Sequence, residues 1–140
     1  MAYWLLKSEP ETFSWQDLVD KGAPEEWNGV RNYQARNNMR AMQVGDEAFF
    51  YHSVKDKCVV GICRVAAAIH PDSTADLKNG KVVWECVDVE AVKPFQTAVS
   101  LDEIKVTEGL QEMVLVNNSR LSVQPVSDAE WAIICKMGGL

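Results

Sequence analysis

Residues 3–10, YWLLKSEP, place four large apolar side chains directly before a short polar segment and a proline. Aromatic and branched residues suit a pleated surface, so Tyr3 to Leu6 are predicted to form a buried strand. Pro10 has no backbone N–H and ends regular pairing. Lys7 and Ser8 then lie at the carboxyl end of this strand, where loops often hold ligands. A solvated loop would have the same composition, and the stretch alone does not separate the two interpretations.

Helix starts are marked by serines followed three residues later by an acidic residue, the capping-box pattern. The three pairs are Ser14 with Asp17, Ser100 with Glu103, and Ser127 with Glu130. Glycine favours the residue after a helix, so Gly22 and Gly138 are predicted to end the first and last of these helices.

A fourth helix is predicted between Trp27 and Gly45, with Asn32 as its N-cap. Ala35, Met39 and Met42 recur at helical spacing and are interpreted as its core side. The arginines at 36 and 40 are four residues apart and are predicted to share another, exposed face.

The remaining segments favour β structure. EAFFYHS, CVVGICRVAAAI, KVVWECVDVEAV and MVLV are rich in branched and aromatic residues, and DLKNGK contains the Asn-Gly pair typical of a hairpin turn. Five or six strands with a few short helices and no regular βαβ alternation predict an α+β fold with a mostly antiparallel, barrel-like β-sheet.

Composition indicates an ordinary soluble globular chain. Its 140 residues predict one domain over 1–140, with 47% hydrophobic and 24% charged residues and no apolar run long enough to span a bilayer. The start lacks the features of a secretory signal peptide. The four cysteines lie inside apolar segments without a CxxC pair, which favours reduced thiols and a cytoplasmic location.

Charge is distributed unevenly. The net charge of −6 argues against an avid, nonspecific nucleic-acid binder. Residues 27–45 nevertheless contain three arginines and no acidic residue. This local basic segment fits a selective contact with a phosphate-bearing ligand, and it equally fits a solvated helix face.

Catalytic and metal-binding patterns are missing from the sequence. His52 follows a predicted strand and His70 precedes a proline, without an HExxH or H-x-E…CxxC arrangement. GxSxG, Walker and GxGxxG motifs are absent as well. We therefore expect no catalysis, no cofactor and no metal.

Two tryptophans are candidates for a binding pocket. Trp84 falls on the more polar of the two alternating faces of VVWECVDVEAV, so it must be covered by another element or line a pocket. Trp27 precedes the basic segment. Two such indoles could hold a flat ring between them, and the helix start near Asn32 suits a phosphate.

Six segments resemble the EVE domain family. They are YWLLKSEP, FSWQDL, WNGVRNYQARNNMR, GDEAFFYHS, VVGICRV and SRLSVQPVSDAEW, which together span nearly the whole chain. The resemblance implies a PUA-like β-barrel surrounded by short helices, related to YTH domains. It also implies a cleft that accepts an extruded modified base: a modified cytosine in DNA, or a modified base in RNA.

The resemblance also assigns roles to residues. Arg31 stands where YTH domains carry a cage tryptophan, which puts methyladenine specificity in doubt, and the WEC segment makes Trp84 a pocket residue. From motif and pattern together, we predict Trp27 and Trp84 as stacking walls, Ser8, Asn32 and Ser53 as hydrogen-bonding groups, Arg31, Arg36, Arg40 and Lys7 near phosphates, and Tyr33 and His52 at the rim. A monomeric reader of nucleic acid is the main expectation; an enzyme acting on modified nucleosides and a protein-interaction adaptor are the alternatives.

Overall fold

A computed structural model describes residues 2–140 of the chain. Its strands are β1 (Tyr3–Ser8), β2 (Glu25–Glu26), β3 (Glu47–His52), β4 (Cys58–Pro71), β5 (Glu85–Ser100) and β6 (Val123–Val126). Its helices are α1 (Trp15–Lys21), α2 (Tyr33–Ala41), α3 (Leu101–Val106), α4 (Val114–Asn117) and α5 (Asp128–Met137). The predicted α+β class is confirmed.

The six strands form one sheet in the order β2-β5-β4-β3-β1-β6. Among the strands of residues 2–140, only β1 and β3 run parallel, and the other neighbouring pairs are antiparallel. Within residues 2–140 the edge strands β2 and β6 do not pair, so the sheet is open and the predicted barrel closure is wrong. Helices cover both faces, so apolar surface is buried without closure of the sheet.

The alternation of side chains along the strands divides the core into two layers. Leu5 and Phe49 lie opposite each other on β1 and β3 and pack toward α3, α4 and α5. Leu6 and Phe50 are the next pair and pack toward α1 and α2 on the other face. The second layer matters here because the candidate site lies along it.

The helix signals in the sequence are confirmed. Each of the three predicted capping boxes forms, with the serine side chain accepting from the third residue and the acidic side chain accepting from the serine. Asn32 caps α2, while Gly22, in the left-handed conformation with φ of 62°, caps the end of α1. These contacts join residues three positions apart, which is why sequence alone predicts them.

Two β predictions are wrong: MVLV forms no strand, and the strand predicted over KVVWECVDVEAV begins later, at Glu85. MVLV is a cap and a helical turn, because Met113 precedes α4 and accepts the backbone N–H groups of Val116 and Asn117. A four-residue apolar run fits a buried strand or a buried helix equally well, and β6 follows it instead as the strand beside β1. Trp84 lies one residue before β5 rather than on a strand face. The Asn79-Gly80 turn is confirmed, closed by a bridge between Lys78 and Lys81.

Within residues 2–140, no helix is long and apolar enough to cross a membrane. The four cysteines form no disulfide; Cys63 and Cys86 are buried, and Cys58 and Cys135 are half-buried.

Candidate functional site

A cavity of about 610 Å³ opens where β1 ends beside β2 and the segment that follows β2. Its walls are formed by residues 7–9, 12–13 and 25–31, together with Ser122. Four of the predicted site residues meet here: Lys7, Ser8, Trp27 and Arg31. The carboxyl end of β1 therefore leads into a cavity rather than into a fully solvated loop.

Trp27 is a wall whose ring is held by the core. It is 7% exposed, and its ring packs edge-on against Phe50 at 5.5 Å and Phe13 at 6.3 Å between centroids. Its backbone N–H donates to the Val87 carbonyl at 2.8 Å. The indole is thus fixed before any ligand arrives, and it also contributes to folding.

Lys7 and Ser8 are already hydrogen-bonded within the chain. The Ser8 hydroxyl donates to the Phe13 carbonyl, and the Lys7 ammonium donates to the Ser119 carbonyl. Burial and the neighbouring charge of Lys57 lower the pKa of Lys7. The ammonium retains two further donors and the hydroxyl retains acceptor lone pairs, so both can still contact a ligand.

Arg31 is held at the cavity by Asp72, a residue that no sequence motif indicates. The guanidinium Nη1 lies 3.0 Å from Asp72 Oδ2, and the backbone N–H of Gly29 donates to the same oxygen at 2.8 Å. Thr74 donates to Oδ1 from both its backbone and its hydroxyl, at 2.7 and 2.6 Å. Burial alone raises the pKa of Asp72, but the hydrogen bonds from Thr74, Gly29 and Arg31 outweigh it and lower the pKa to about 2. Asp72 therefore stays ionised and fixes the cavity wall.

Beside the cavity lies a second group, which we call the cation–aromatic cluster: Arg31, Tyr33, Arg36, Lys78 and Trp84. Tyr33 stacks on Trp84 with ring centroids 4.9 Å apart and planes 27° apart. The three cationic groups lie 5.8–5.9 Å from the Trp84 ring centroid. Trp84 is 9% exposed, whereas Tyr33 is 54% exposed. Tyr33 is therefore the accessible aromatic residue of the stack.

The arginines of the basic segment differ in how they are paired. The segment contains Arg31, Arg36 and Arg40. Arg40 pairs with Glu85, with its Nε 2.7 Å from Glu85 Oε1. Arg36 donates to the Val83 carbonyl at 2.8 Å and to Asn37, and within residues 2–140 it forms no ion pair with a carboxylate. Its charge is thus the least neutralised of the three.

The other predicted site residues have local structural roles. The Asn32 side-chain oxygen accepts the Ala35 N–H at 2.9 Å as the cap of α2. His52 Nε2 accepts the N–H of Trp15, the first residue of α1, at 3.1 Å, and burial lowers the pKa of His52. Ser53 donates its backbone N–H to the Ser8 carbonyl and lines a smaller cavity of about 280 Å³ with Lys7. The structure does not bring these three residues into the main cavity.

Trp27 and Trp84 are not assembled as the two walls of one slot. Trp27 lines the cavity, and Trp84 does not. Arg31 is the residue common to the cavity and the cation–aromatic cluster. Lys78 directly precedes the Asn-Gly turn and belongs to the cluster. Its position beside a predicted turn is the only sequence signal that pointed to it.

Comparison with known protein families agrees with this architecture. Residues 2–137 match the family model described as the EVE domain. Human thymocyte nuclear protein 1 is 36% identical, with the alignment covering 97% of this chain and 73% of that protein.

Solved structures of related proteins share this fold. A protein from Agrobacterium tumefaciens superimposes with a TM-score of 0.95 at 53% identity, covering 100% of this chain and 94% of that one. Human THYN1, solved in complex with 5-methylcytosine-containing DNA, superimposes with a TM-score of 0.93 at 32% identity, covering 100% and 99%. A YTH domain from Zygosaccharomyces rouxii shares the fold at a TM-score of 0.59 and 14% identity. From its family match over residues 2–137 and these relatives, the chain belongs to the EVE domain family.

Proposed function

We propose that this protein binds nucleic acid and reads an extruded modified base in the cavity at the end of β1, without catalysing a reaction. The proposal rests on the position of Arg31. This residue lines the cavity of about 610 Å³ and is also one of the three cations around Trp84. A base can enter the cavity while its strand lies across the cluster. The human relative solved with 5-methylcytosine-containing DNA supports modified cytosine in DNA as the first candidate, with a modified RNA base as the second.

In this proposal each cavity residue contacts a different part of the nucleotide. Trp27 provides a rigid apolar wall for one side of the base. Ser8 and Arg31 face the base edge, where the Ser8 oxygen can accept from an exocyclic amine and the Arg31 guanidinium can donate to carbonyl and ring-nitrogen acceptors. Lys7 reaches the phosphate beside the base. Asp72 contacts no ligand and positions Arg31 and Gly29.

The cation–aromatic cluster holds the strand in the same proposal. Arg36 and Lys78 contact phosphates, and Tyr33 offers its exposed ring to a neighbouring base. The protein carries a net charge of −6, so binding rests on this local cluster rather than on the charge of the whole chain. We further propose that one chain binds one base as a monomer and acts in the cytoplasm.

The two alternatives make different predictions. An enzyme acting on modified nucleosides would release a new product. Two observations disfavour that alternative: burial raises the pKa of both the Cys63 and the Cys86 thiols to about 12, and His52 already accepts a helix N–H. A protein-interaction adaptor would have no affinity for nucleic acid at any salt concentration.

Fluorescence anisotropy with short labelled oligonucleotides tests the proposal. The panel contains DNA and RNA strands, each with and without a methylated cytosine at one central position. We expect tighter binding to one modified strand, and a weaker, less selective complex for the Arg31→Ala variant. Arg64→Ala is the matched control, because Arg64 pairs with Glu90 outside both the cavity and the cluster. Equal affinity for every strand in the panel would contradict modified-base reading.

A further inference from the structure

Three neighbouring strands bring four chemically suitable side chains to one face of the sheet. Cys86 and Asp88 lie two residues apart on β5, so their side chains point to the same face. The β4–β5 register sets His70 opposite Cys86, and the β2–β5 register sets Glu26 opposite Asp88. An oxygen of Glu26, a ring nitrogen of His70 and the sulfur of Cys86 lie within 4.8 Å of one another.

This group contains more acceptors than donors. His70 Nε2 lies 2.8 Å from Asp88 Oδ1, and its Nδ1 lies 2.9 Å from the Pro71 carbonyl. A neutral imidazole has one N–H and can donate to only one of these two oxygens. Within residues 2–140, neither Glu26 nor Asp88 forms an ion pair with a lysine or arginine. Positive charge beside these two carboxylates can therefore come only from His70 itself or from a bound cation.

From this geometry we propose that Glu26, His70 and Cys86 bind a zinc ion, with Asp88 as the carboxylate that orients the His70 ring. A set of one nitrogen, one sulfur and one oxygen suits Zn²⁺, whereas Mg²⁺ and Ca²⁺ prefer oxygen alone. Zinc bonds of about 2.0–2.3 Å set tetrahedral ligands roughly 3.5 Å apart, so the three ligand atoms must move closer together on binding. Because Asp88 keeps Nε2 of His70, the ligating nitrogen is Nδ1, which must turn away from the Pro71 carbonyl. On binding, the Zn–S bond forms, the Cys86 thiol loses its proton to solvent, and water takes the fourth position.

The site would join three strands beside the cavity. Glu26 ends β2, lines the cavity and directly precedes Trp27. β2 has only two residues, so its backbone pairing with β5 is short. A zinc ion bound to Glu26 would attach this edge to β4 and β5 and fix the Trp27 wall. The sequence shows no zinc motif, because the three ligands come from three separate strands.

Cobalt substitution tests the proposal on the full chain. Protein freed of metal with a chelator is titrated with Co²⁺, and the absorption spectrum is recorded. We expect a thiolate-to-cobalt charge-transfer band and visible bands of tetrahedral cobalt that saturate at one equivalent, and we expect Zn²⁺ to abolish them. Cys86→Ser should remove the charge-transfer band, while the matched controls Cys58→Ser and Cys135→Ser should keep it.

Two further variants keep the test decisive if Cys86→Ser does not fold. His70 is partly exposed, so His70→Ala should fold, as checked by circular dichroism, and should lose the tetrahedral spectrum. Asp88→Asn should bind cobalt about 10–100-fold more weakly, as expected for a partner that orients a ligand. A spectrum without a saturating charge-transfer band in the folded parent protein would overturn the proposal, and so would a band that survives His70→Ala. The oligonucleotide assay on chelator-treated protein is separate, so failure here leaves modified-base reading intact.

Discussion

Arg31 and Asp72 form an ion pair across 41 positions of sequence, with Nη1 and Oδ2 3.0 Å apart. The carboxylate side chain is 1% exposed and the guanidinium side chain is 40% exposed. One partner is therefore a buried anchor and the other reaches the cavity. This asymmetry determines how variants of the two residues should differ.

Asp72→Ala should destabilise the protein more than Arg31→Ala. Removing the carboxylate leaves the Gly29 and Thr74 donors without their acceptor, at a cost of about 1–3 kcal/mol in the free energy of unfolding. Removing Arg31 leaves Asp72 with the donors of Gly29 and Thr74, so stability should fall less. Urea denaturation of both variants checks the order. The reverse order would show that Asp72 does not anchor this wall.

Tyr33→Ala should weaken oligonucleotide binding by about 1–3 kcal/mol if a base stacks on its exposed ring. Its stability should change little, because more than half of the residue is exposed. Trp84→Ala should lower both affinity and melting temperature, because Trp84 is buried under Tyr33 and three cations. Binding and melting are measured on the same samples. A Tyr33→Ala variant with parental affinity would exclude stacking on this residue.

Arg36→Ala should flatten the dependence of log affinity on log salt more than Arg40→Ala does. A side chain that neutralises one phosphate of duplex DNA contributes about 0.9 to this slope, and its removal takes that contribution away. Arg36 has no carboxylate partner within residues 2–140, whereas Arg40 is neutralised by Glu85. Each variant should weaken binding to modified and unmodified strands alike, since phosphate contacts position without specifying sequence. Arg64→Ala is the control, and equal slopes for all three variants would contradict the assignment.

Gly61→Ala should destabilise the fold by about 1–3 kcal/mol through overpacking. A Cβ on Gly61 would lie 2.7 Å from the Trp15 ring, which packs on β4 from the start of α1. Trp15→Phe in the same chain should recover part of the stability, because the smaller ring leaves space. Thermal melts of the two single variants and the double variant form a cycle that measures the coupling. If the stability changes of the two single variants simply add in the double variant, the new Cβ at position 61 does not clash with the Trp15 ring.

Local signals in the sequence predicted the elements that depend on neighbours along the chain. Ser14, Ser100 and Ser127 cap helices through residues three positions away, so their patterns are visible without a fold. The prediction for the run at Val114 failed because four apolar residues satisfy a helix or a strand, and only their packing decides between them. The prediction of a closed barrel failed because the sequence pattern of a strand does not indicate whether the two edge strands of a sheet pair with each other.

The sequence by itself determined the α+β class, most of the helix boundaries, and the residues Lys7, Ser8, Trp27 and Arg31 that line the cavity. Only the tertiary structure decided that Trp84 stacks on Tyr33 outside the cavity, that Asp72 holds Arg31, and that Glu26, His70 and Cys86 meet. The partners in these contacts lie far apart along the chain, as Arg31 and Asp72 do at 41 positions. Strand register and helix packing bring such residues together, and both arise from how the whole chain buries its apolar surface rather than from any one segment.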